Sequence, residues 1–325
     1  MQVFHEIERF TPPPGGITLT IGNFDGVHRG HQRIVQKARE VAADLGTPAC
    51  ALTFEPHPLA VIAPAQAPGR LVTLDEKLHL LGALGVEVCI VMPSEPALLH
   101  QPAETFLTSL TARCRPRALV EGPDFNFGRG RAGSVQTLHA LADRLGFTVH
   151  VIETARCDEL PSVPSVHSAA IRAALREGRV DIAQHMLGRP YRIVGTVAPG
   201  AGRGGGLGFP TANLDAIPHL LPQQAVYAAV AQLEDDRLHL AAVNIGGQPT
   251  FGPGAPQVEA HLLDWDAALR GQRLGLHFLA RLRAQTCFSS PGELGAQIQR
   301  DVAATRTRAA ALSQLRQARP LPLVG

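Results

Sequence analysis

The 325-residue chain has only two lysines, Lys37 and Lys77, and nowhere the pattern GxxxxGK[ST]. That excludes a P-loop NTPase. No glycine-rich loop is followed by a VAIK-like lysine, which excludes a protein kinase. A chain of this kind that handles nucleotide phosphates relies on histidine, arginine, backbone N–H groups and a metal ion. Its five cysteines (Cys50, Cys89, Cys114, Cys157 and Cys287) are scattered, with no CxxC. They read as free thiols in a reducing compartment, neither a disulfide framework nor a zinc site. Charge is nearly balanced at +2, without runs of one sign, so nothing points to nucleic acid or a membrane surface. No apolar run approaches the roughly 20 residues of a membrane span. The opening MQVFHEIERF lacks a basic stretch followed by an apolar one, so no secretory signal is expected. The composition therefore predicts a cytoplasmic protein without a nucleic-acid or membrane partner; a monomer or weak homo-oligomer is expected.

The first half alternates strand and helix patterns. Strands are predicted at Ile17–Ile21, Ala49–Phe54, Val86–Val91, Ala118–Val120 and Thr148–Ile152. Between them, Gln32–Leu45 places Ile34, Ala38, Val41, Ala42 and Leu45 on one helical face, with Gly46 as a stop. Thr73–Glu76 is a capping-box pattern opening a helix to about Leu84, and Ala103–Arg113 and Ser134–Leu145 have helical spacing. This βαβα order implies a Rossmann-like parallel sheet covered by helices. After Pro190 strands dominate: Tyr191–Val197, Val226–Leu233, Leu238–Ile245, Val258–Trp265 and Arg273–Arg283, a small antiparallel barrel. Ser290–Glu293 then caps one long helix to about Leu315. The boundary is expected between about 183 and 190, giving domains 1–186 and 187–325.

Two strings carry chemistry. Gly22 to His31 read GNFDGVHRGH, between the first strand and the first helix. Ligands bind at such turns in parallel sheets, glycines admit close backbone approach, and a helix N-terminus attracts anions. His28 and His31, three apart, can face one phosphate. Imidazole donors there suit nucleotidyl transfer, in which charge grows on the oxygens between the α-phosphate of ATP and departing pyrophosphate. In the barrel half, Gly208–Asn213 reads GFPTAN and Val258–Asp264 reads VEAHLLD. The Thr211 hydroxyl and Asn213 carbonyl are hard oxygen ligands suited to Mg²⁺. Strand alternation sets Glu259 and His261 opposite Val258, Ala260 and Leu262.

With Thr53–Pro58 (TFEPHP), Glu121–Gly128 (EGPDFNFG) and GFPTAN added to GNFDGVHRGH, the chain resembles the bacterial bifunctional riboflavin kinase/FAD synthetase family from about Thr18 to Asp301. The first string resembles that family's form of the nucleotidyltransferase HxGH signature. The resemblance implies ATP-dependent phosphorylation of riboflavin to FMN, then adenylylation of FMN to FAD. It makes riboflavin, FMN, FAD and ATP the partners, with Mg²⁺ entering with ATP and the flavins as substrates and products. It implies Gly22, Asn23, Phe24, Asp25, Gly30, Ser168, Gly208, Thr211 and Asn213 at ATP and its phosphates. Phe54, Pro56, Phe125, Asn126 and Phe127 fall on the flavin side. His28, His31 and Arg172 are implied for adenylyl transfer and Glu259 as the base accepting the riboflavin 5′-hydroxyl proton.

One segment departs from the family pattern. Its Ser-Ser-Thr-x-Ile-Arg appears here as His167-Ser168-Ala169-Ala170-Ile171-Arg172, so two hydroxyl donors are missing. A donor to a charged phosphate is worth about 1.5–3 kcal/mol. The segment leaves open either slower adenylylation or replacement of a donor by His167. A riboflavin kinase with a weak adenylyltransferase is therefore the alternative. A non-catalytic flavin-binding protein is weighed down by the retained His28, His31, Thr211, Asn213 and Glu259. Gly200–Gly205 fits GxGxxG, but Phe-Pro-Thr follows instead of a helix, which argues against a dinucleotide-binding oxidoreductase.

Overall fold

The computed structural model describes residues 1–153, 165–199, 209–246, 256–318 and 321–323. Gly208, the glycine run before it, Pro249-Thr250-Phe251 and Cys157 lie outside the described residues. The chain divides into two compact units, Met1–His167 and Ser168–Gly325.

The first unit runs β1 (Gln2–Phe4), β2 (Ile17–Ile21), α1 (Arg29–Leu45), β3 (Ala49–Glu55), α2 (Pro58–Ile62), α3 (Leu74–Ala83) and β4 (Val88–Pro93). It continues through α4 (Pro96–Leu99), α5 (Ala103–Cys114), β5 (Pro116–Glu121), β6 (Asn126–Phe127), β7 (Gly133–Ser134), α6 (Val135–Leu145) and β8 (Thr148–Val151). Six strands form one parallel sheet in the order β1-β4-β3-β2-β5-β8. Strand β2 is buried throughout, which its apolar and β-branched run ITLTI requires of a central strand. From β2 the chain moves through β3 to β4 on one side, then returns to β5 on the other. The reversal puts the topological switch point between the carboxyl ends of β2 and β5, where open α/β sheets bind ligands.

Helix α1 begins earlier than its spacing predicts, because His28 caps it. Its buried face is Val35, Ala38, Val41 and Ala42, and Leu45 is exposed. The predicted stop at Gly46 is present, in the left-handed conformation. The capping box on α3 forms, with Thr73 and Glu76 bonding each other's backbone. Strand β1 and helix α2 add to the elements predicted.

The second unit opens on α7 (Ser168–Arg176) and α8 (Val180–Leu187), which the strand-dominated reading does not contain. Strands β9 (Tyr191–Ala198), β10 (Ala212–Asp215), β11 (Ala225–Gln232), β12 (Leu238–Gly246), β13 (Gln257–Leu262) and β14 (Arg273–Arg283) follow. They close an antiparallel barrel in the order β10-β13-β12-β11-β14-β9. The expected single C-terminal helix is two, α9 (Pro291–Arg306) and α10 (Ala309–Ala318). At the break, Thr305 and Thr307 turn their hydroxyls onto the carbonyls of Asp301 and Ala304, a local bond that competes with helix continuation. No described helix is long and apolar enough to cross a membrane.

Candidate active sites

In the parallel-sheet unit, the loop after β2 is wound tightly. Phe24, Gly26 and Val27 all have positive φ, at 47°, 86° and 39°. For an aromatic and a β-branched residue this backbone is strained, a cost found where structure serves a site. The Phe24 and Val27 side chains anchor the loop in the core with Val35, Ala51, Leu81 and Val91. The Gly22 N–H donates to Leu52 O at 3.0 Å, and the Asn23 amide contacts His57 Nε2 at 3.3 Å. Asp25 turns its buried carboxylate onto the N–H groups of Leu71 and Val72, at 3.1 and 3.3 Å.

His28 is the N-cap of α1: its Nδ1 accepts the His31 N–H at 3.3 Å. With Nδ1 used as an acceptor, the proton of the neutral ring sits on Nε2, which makes that nitrogen a donor. The His31 ring stacks on His28, with centroids 3.6 Å apart and planes at 19°, and lies edge-on to Phe24. Burial, then the neighbouring His28 and Lys77, hold His31 well below the ordinary imidazole range, so it is neutral at pH 7. Its Nδ1 is buried without a partner among the described residues, and such an orphan asks for an explanation, of which a ligand is one. Gly30 leaves room for the ring: a Cβ there would lie 3.0 Å from His28 Nδ1 and 3.2 Å from Val166 O, a tight fit that asks these neighbours to give way.

Lys77 belongs to this neighbourhood and the motifs missed it. It is 5 % exposed. Its Nζ donates to Thr53 Oγ1 at 3.2 Å, and Thr53 Oγ1 in turn donates to Asn23 O at 3.3 Å. Glu55 lies 3.9 Å from the ammonium and is also paired with Arg70. Burial lowers the Lys77 pKa and the Glu55 and Asp25 carboxylates oppose that. The one sequence signal for it was its rarity: a lone lysine on a capped helix.

The aromatic residues that the resemblance assigns to the flavin divide. The Phe127 ring is core, beside Phe106, while Phe54 and Phe125 are only partly buried against the same cluster. Phe125 stacks on Phe127 with centroids 5.3 Å apart. Asn126 is exposed, its Nδ2 donating to Asp124 O at 2.6 Å, and Pro56 is exposed. Ser168 and Arg172 lie on α7 in the second unit, Arg172 buried and His167 and Ala169 exposed.

The barrel site is built by register. Glu259 on β13 is the cross-strand partner of Asn213 on β10 and of Asn244 on β12. Directly opposed residues have Cβ atoms about 4.5–5.5 Å apart on one face, so three polar side chains form a row. All three are half-buried, whereas the alternate residues Ala212, Leu214, Val243, Ile245, Val258 and Ala260 fill the barrel core. Thr211 precedes β10 and is exposed. His261 steadies that segment: its Nδ1 donates to Pro210 O at 2.8 Å and its ring meets Phe209 edge-on. On the other side Gln285 Nε2 donates to Asn244 Oδ1 at 3.0 Å. Among the described residues no group of three or more His, Cys, Asp or Glu side chains could hold a metal ion. The hard oxygen donors in this region are the Thr211 hydroxyl, the Asn213 and Asn244 amides and the Glu259 carboxylate.

A tightly wound, histidine-bearing loop at the switch point of a parallel sheet, followed in the chain by a closed barrel with an Asn/Glu/Asn row, is the arrangement of a two-module transferase. Residues 11–165 match the FAD synthetase family and residues 187–309 the riboflavin kinase family. Curated relatives named bifunctional riboflavin kinase/FMN adenylyltransferase span nearly the whole chain. That of Pseudomonas fluorescens is 36% identical over 95% of this chain and 98% of its own. Those of Haemophilus influenzae (35% identical; 88% and 92%) and Escherichia coli K12 (34%; 89% and 91%) are similar. The chain belongs to the bifunctional riboflavin kinase/FMN adenylyltransferase family. A solved structure titled macrolide-efflux protein from Streptococcus pneumoniae shares the fold, with a TM-score of 0.82 at 24% identity over 94% of this chain and 98% of that one.

Proposed function

We propose that the chain phosphorylates riboflavin to FMN on its barrel and adenylylates FMN to FAD on its parallel-sheet unit, with 1–186 and 187–325 as the working modules. The observation that carries this reading is the presence, in one chain matching both families, of the capped His28/His31 loop and the Asn213–Glu259–Asn244 row.

In the kinase step the riboflavin 5′-hydroxyl oxygen bonds to the γ-phosphorus of ATP, the bond from that phosphorus to the β-phosphate breaks, and ADP leaves. Glu259 takes the hydroxyl proton. Thr211 and Asn213 would hold Mg²⁺ entering with ATP, whose charge offsets that of the β- and γ-phosphates. His261 and Gln285 keep the flanking elements in place. In the adenylylation step an FMN phosphate oxygen bonds to the α-phosphorus of a second ATP, and pyrophosphate leaves. The N–H groups at the start of α1, the His28 Nε2–H and the His31 ring meet the charge that develops there. Gly22, Asn23 and Gly30 shape the loop's backbone, Phe24 and Asp25 brace it from behind, and Ser168 and Arg172 are assigned to the phosphates by their motif alone. Phe54, Pro56, Phe125 and Asn126 face the flavin, with Phe127 supporting Phe125. Gly208 is assigned to the phosphates by its motif alone. Buried free thiols at Cys50, Cys89 and Cys114 support a reducing, cytoplasmic setting. A monomer or weak homo-oligomer with no nucleic-acid or membrane partner completes the reading.

The substitutions at His167 and Ala169 favour one second reading, a kinase whose adenylyltransferase is weak. Chromatography of the flavins formed from riboflavin, Mg²⁺ and ATP tests both. FMN followed by FAD is expected. FMN alone would support the second reading, and unchanged riboflavin with folded protein would overturn both.

A further inference from the structure

Strands β2 and β5 run side by side only as far as Leu19 and Leu119. Beyond that pair they part, although β2 continues to Ile21 and β5 to Glu121. In a strand successive N–H groups point to opposite neighbours. Gly22 N–H points to β3, where Leu52 O accepts it, so Ile21 N–H points to β5. No β5 carbonyl meets it. The Glu121 side chain does instead: Oε1 accepts the Ile21 N–H at 2.7 Å. The backbone of Glu121 is meanwhile bound on its other side, its carbonyl accepting the Ile152 N–H at 3.0 Å beyond β8. Glu121 is thus fixed to one strand by its backbone and holds the next by its side chain, across the gap that opens at the switch point.

That carboxyl is 1 % exposed. Burial pushes its pKa well above the carboxylate range, with only the Ile21 N–H acting against the rise. An acid with no ion-pair partner among the described residues is costly in such a place, and an apolar residue would pack at less cost. Such a residue would leave the Ile21 N–H without an acceptor, one residue before the phosphate loop begins. Gly122, next in the chain, lies against α1: a Cβ there would sit 3.6 Å from Ile34. The carboxyl therefore holds the end of β2, from which the loop is launched, while the next residue in the chain lies against the helix whose N-terminus His28 caps.

We propose that Glu121 is a positioning residue of the adenylyltransferase: by accepting the Ile21 N–H it holds β2 and β5 apart and sets where the Gly22–His31 loop presents its phosphate-binding groups. The proposal rests on the reading of this unit as the FMN adenylyltransferase. It gives the buried acid a role that core packing leaves unexplained, and it places the residue behind the site, touching no substrate.

The test uses the full-length chain with Glu121→Gln, Glu121→Asp and Glu121→Met, each assayed for riboflavin phosphorylation and for adenylylation of supplied FMN. Gln offers an amide oxygen at the same reach and is expected to keep adenylylation within about threefold, since one neutral acceptor replaces another. Asp draws the acceptor back by one methylene and Met removes it. Both are expected to lower kcat for adenylylation by roughly tenfold to a hundredfold, the scale of a 1 Å misplacement, with the KM for FMN little changed. The kinase rate of all three should match the parent chain. Rescue by Gln separates positioning from packing, because a packing defect does not sort Gln from Met by acceptor. If Met fails to fold, Asp alone decides. Wild-type adenylylation in Asp would overturn the proposal, as would a loss in Gln equal to that in Asp. A parent chain that makes FMN but no FAD would instead overturn the reading beneath it, and the proposal with it.

Discussion

The two sites are assembled in opposite ways. The barrel places Asn213, Glu259 and Asn244 in a row by strand register alone. Each strand is held along its length by neighbours, so the row follows from the ladder. The parallel-sheet site is a strained loop, with Phe24 and Val27 at positive φ, and it is held by side chains arriving from far along the sequence. Asp25 reaches Leu71, Lys77 reaches Thr53 and Glu121 reaches Ile21. A register is robust to change at a distance and sensitive at its own members, whereas a braced loop is sensitive at its braces.

Predictions that test this contrast begin with the barrel. Glu259→Gln is expected to lower riboflavin phosphorylation about 10²–10⁴-fold, the range for loss of a general base, while supplied FMN is still adenylylated at the parent rate. Loss of both activities would break the contrast. In the other unit, His28→Asn keeps an acceptor suited to capping α1 but removes the imidazole donor. It should lower adenylylation roughly 10²–10³-fold with a melting temperature near that of the parent. A large drop in melting temperature would show that the ring serves the fold more than the chemistry. Gly30→Ala adds only a methyl group, 3.0 Å from His28 Nδ1. About a tenfold loss of adenylylation is expected, since the ring must move, and the kinase rate should not change.

The smallest effect is on pH. Burial depresses the His31 pKa in the folded chain, so as pH falls below about 6.5 the unfolded chain takes up a proton that the folded one refuses. Stability is thereby lost as pH falls, by up to about 1.4 kcal/mol per pH unit from this group. It is fully present above the unfolded value. Thermal melts of the parent and His31→Gln between pH 7.5 and 5.5 measure it. The parent should lose more, and parallel curves would contradict a neutral His31.

Much of this was legible in the chain. The ITLTI run, the Thr73–Glu76 box and Gly46 name their own structures because their signals are local. The GNFDGVHRGH and GFPTAN strings mark the candidate sites for the same reason. The elements that escaped depend on partners. Strand β10 has four residues, only two of them apolar (Ala212 and Leu214), and exists by pairing with β9 and β13. Leu45 shares the predicted face but is the last residue of α1 and stays exposed, while Val35 is buried against the sheet unit's core. The contacts made by Lys77, Glu121 and Asp25 lie outside the reach of any motif. Their meaning arises when segments 24 to 100 residues apart meet.

The burial of Lys77 has a practical consequence. It leaves Lys37, whose side chain is 44% exposed on α1 beside Glu40, as the one lysine open to reagents, together with the amino terminus. Amine-directed labelling of the folded protein's lysines should therefore mark the outer face of a single helix. A dye there would report on the adenylylating unit, with no lysine on the barrel to compete for it.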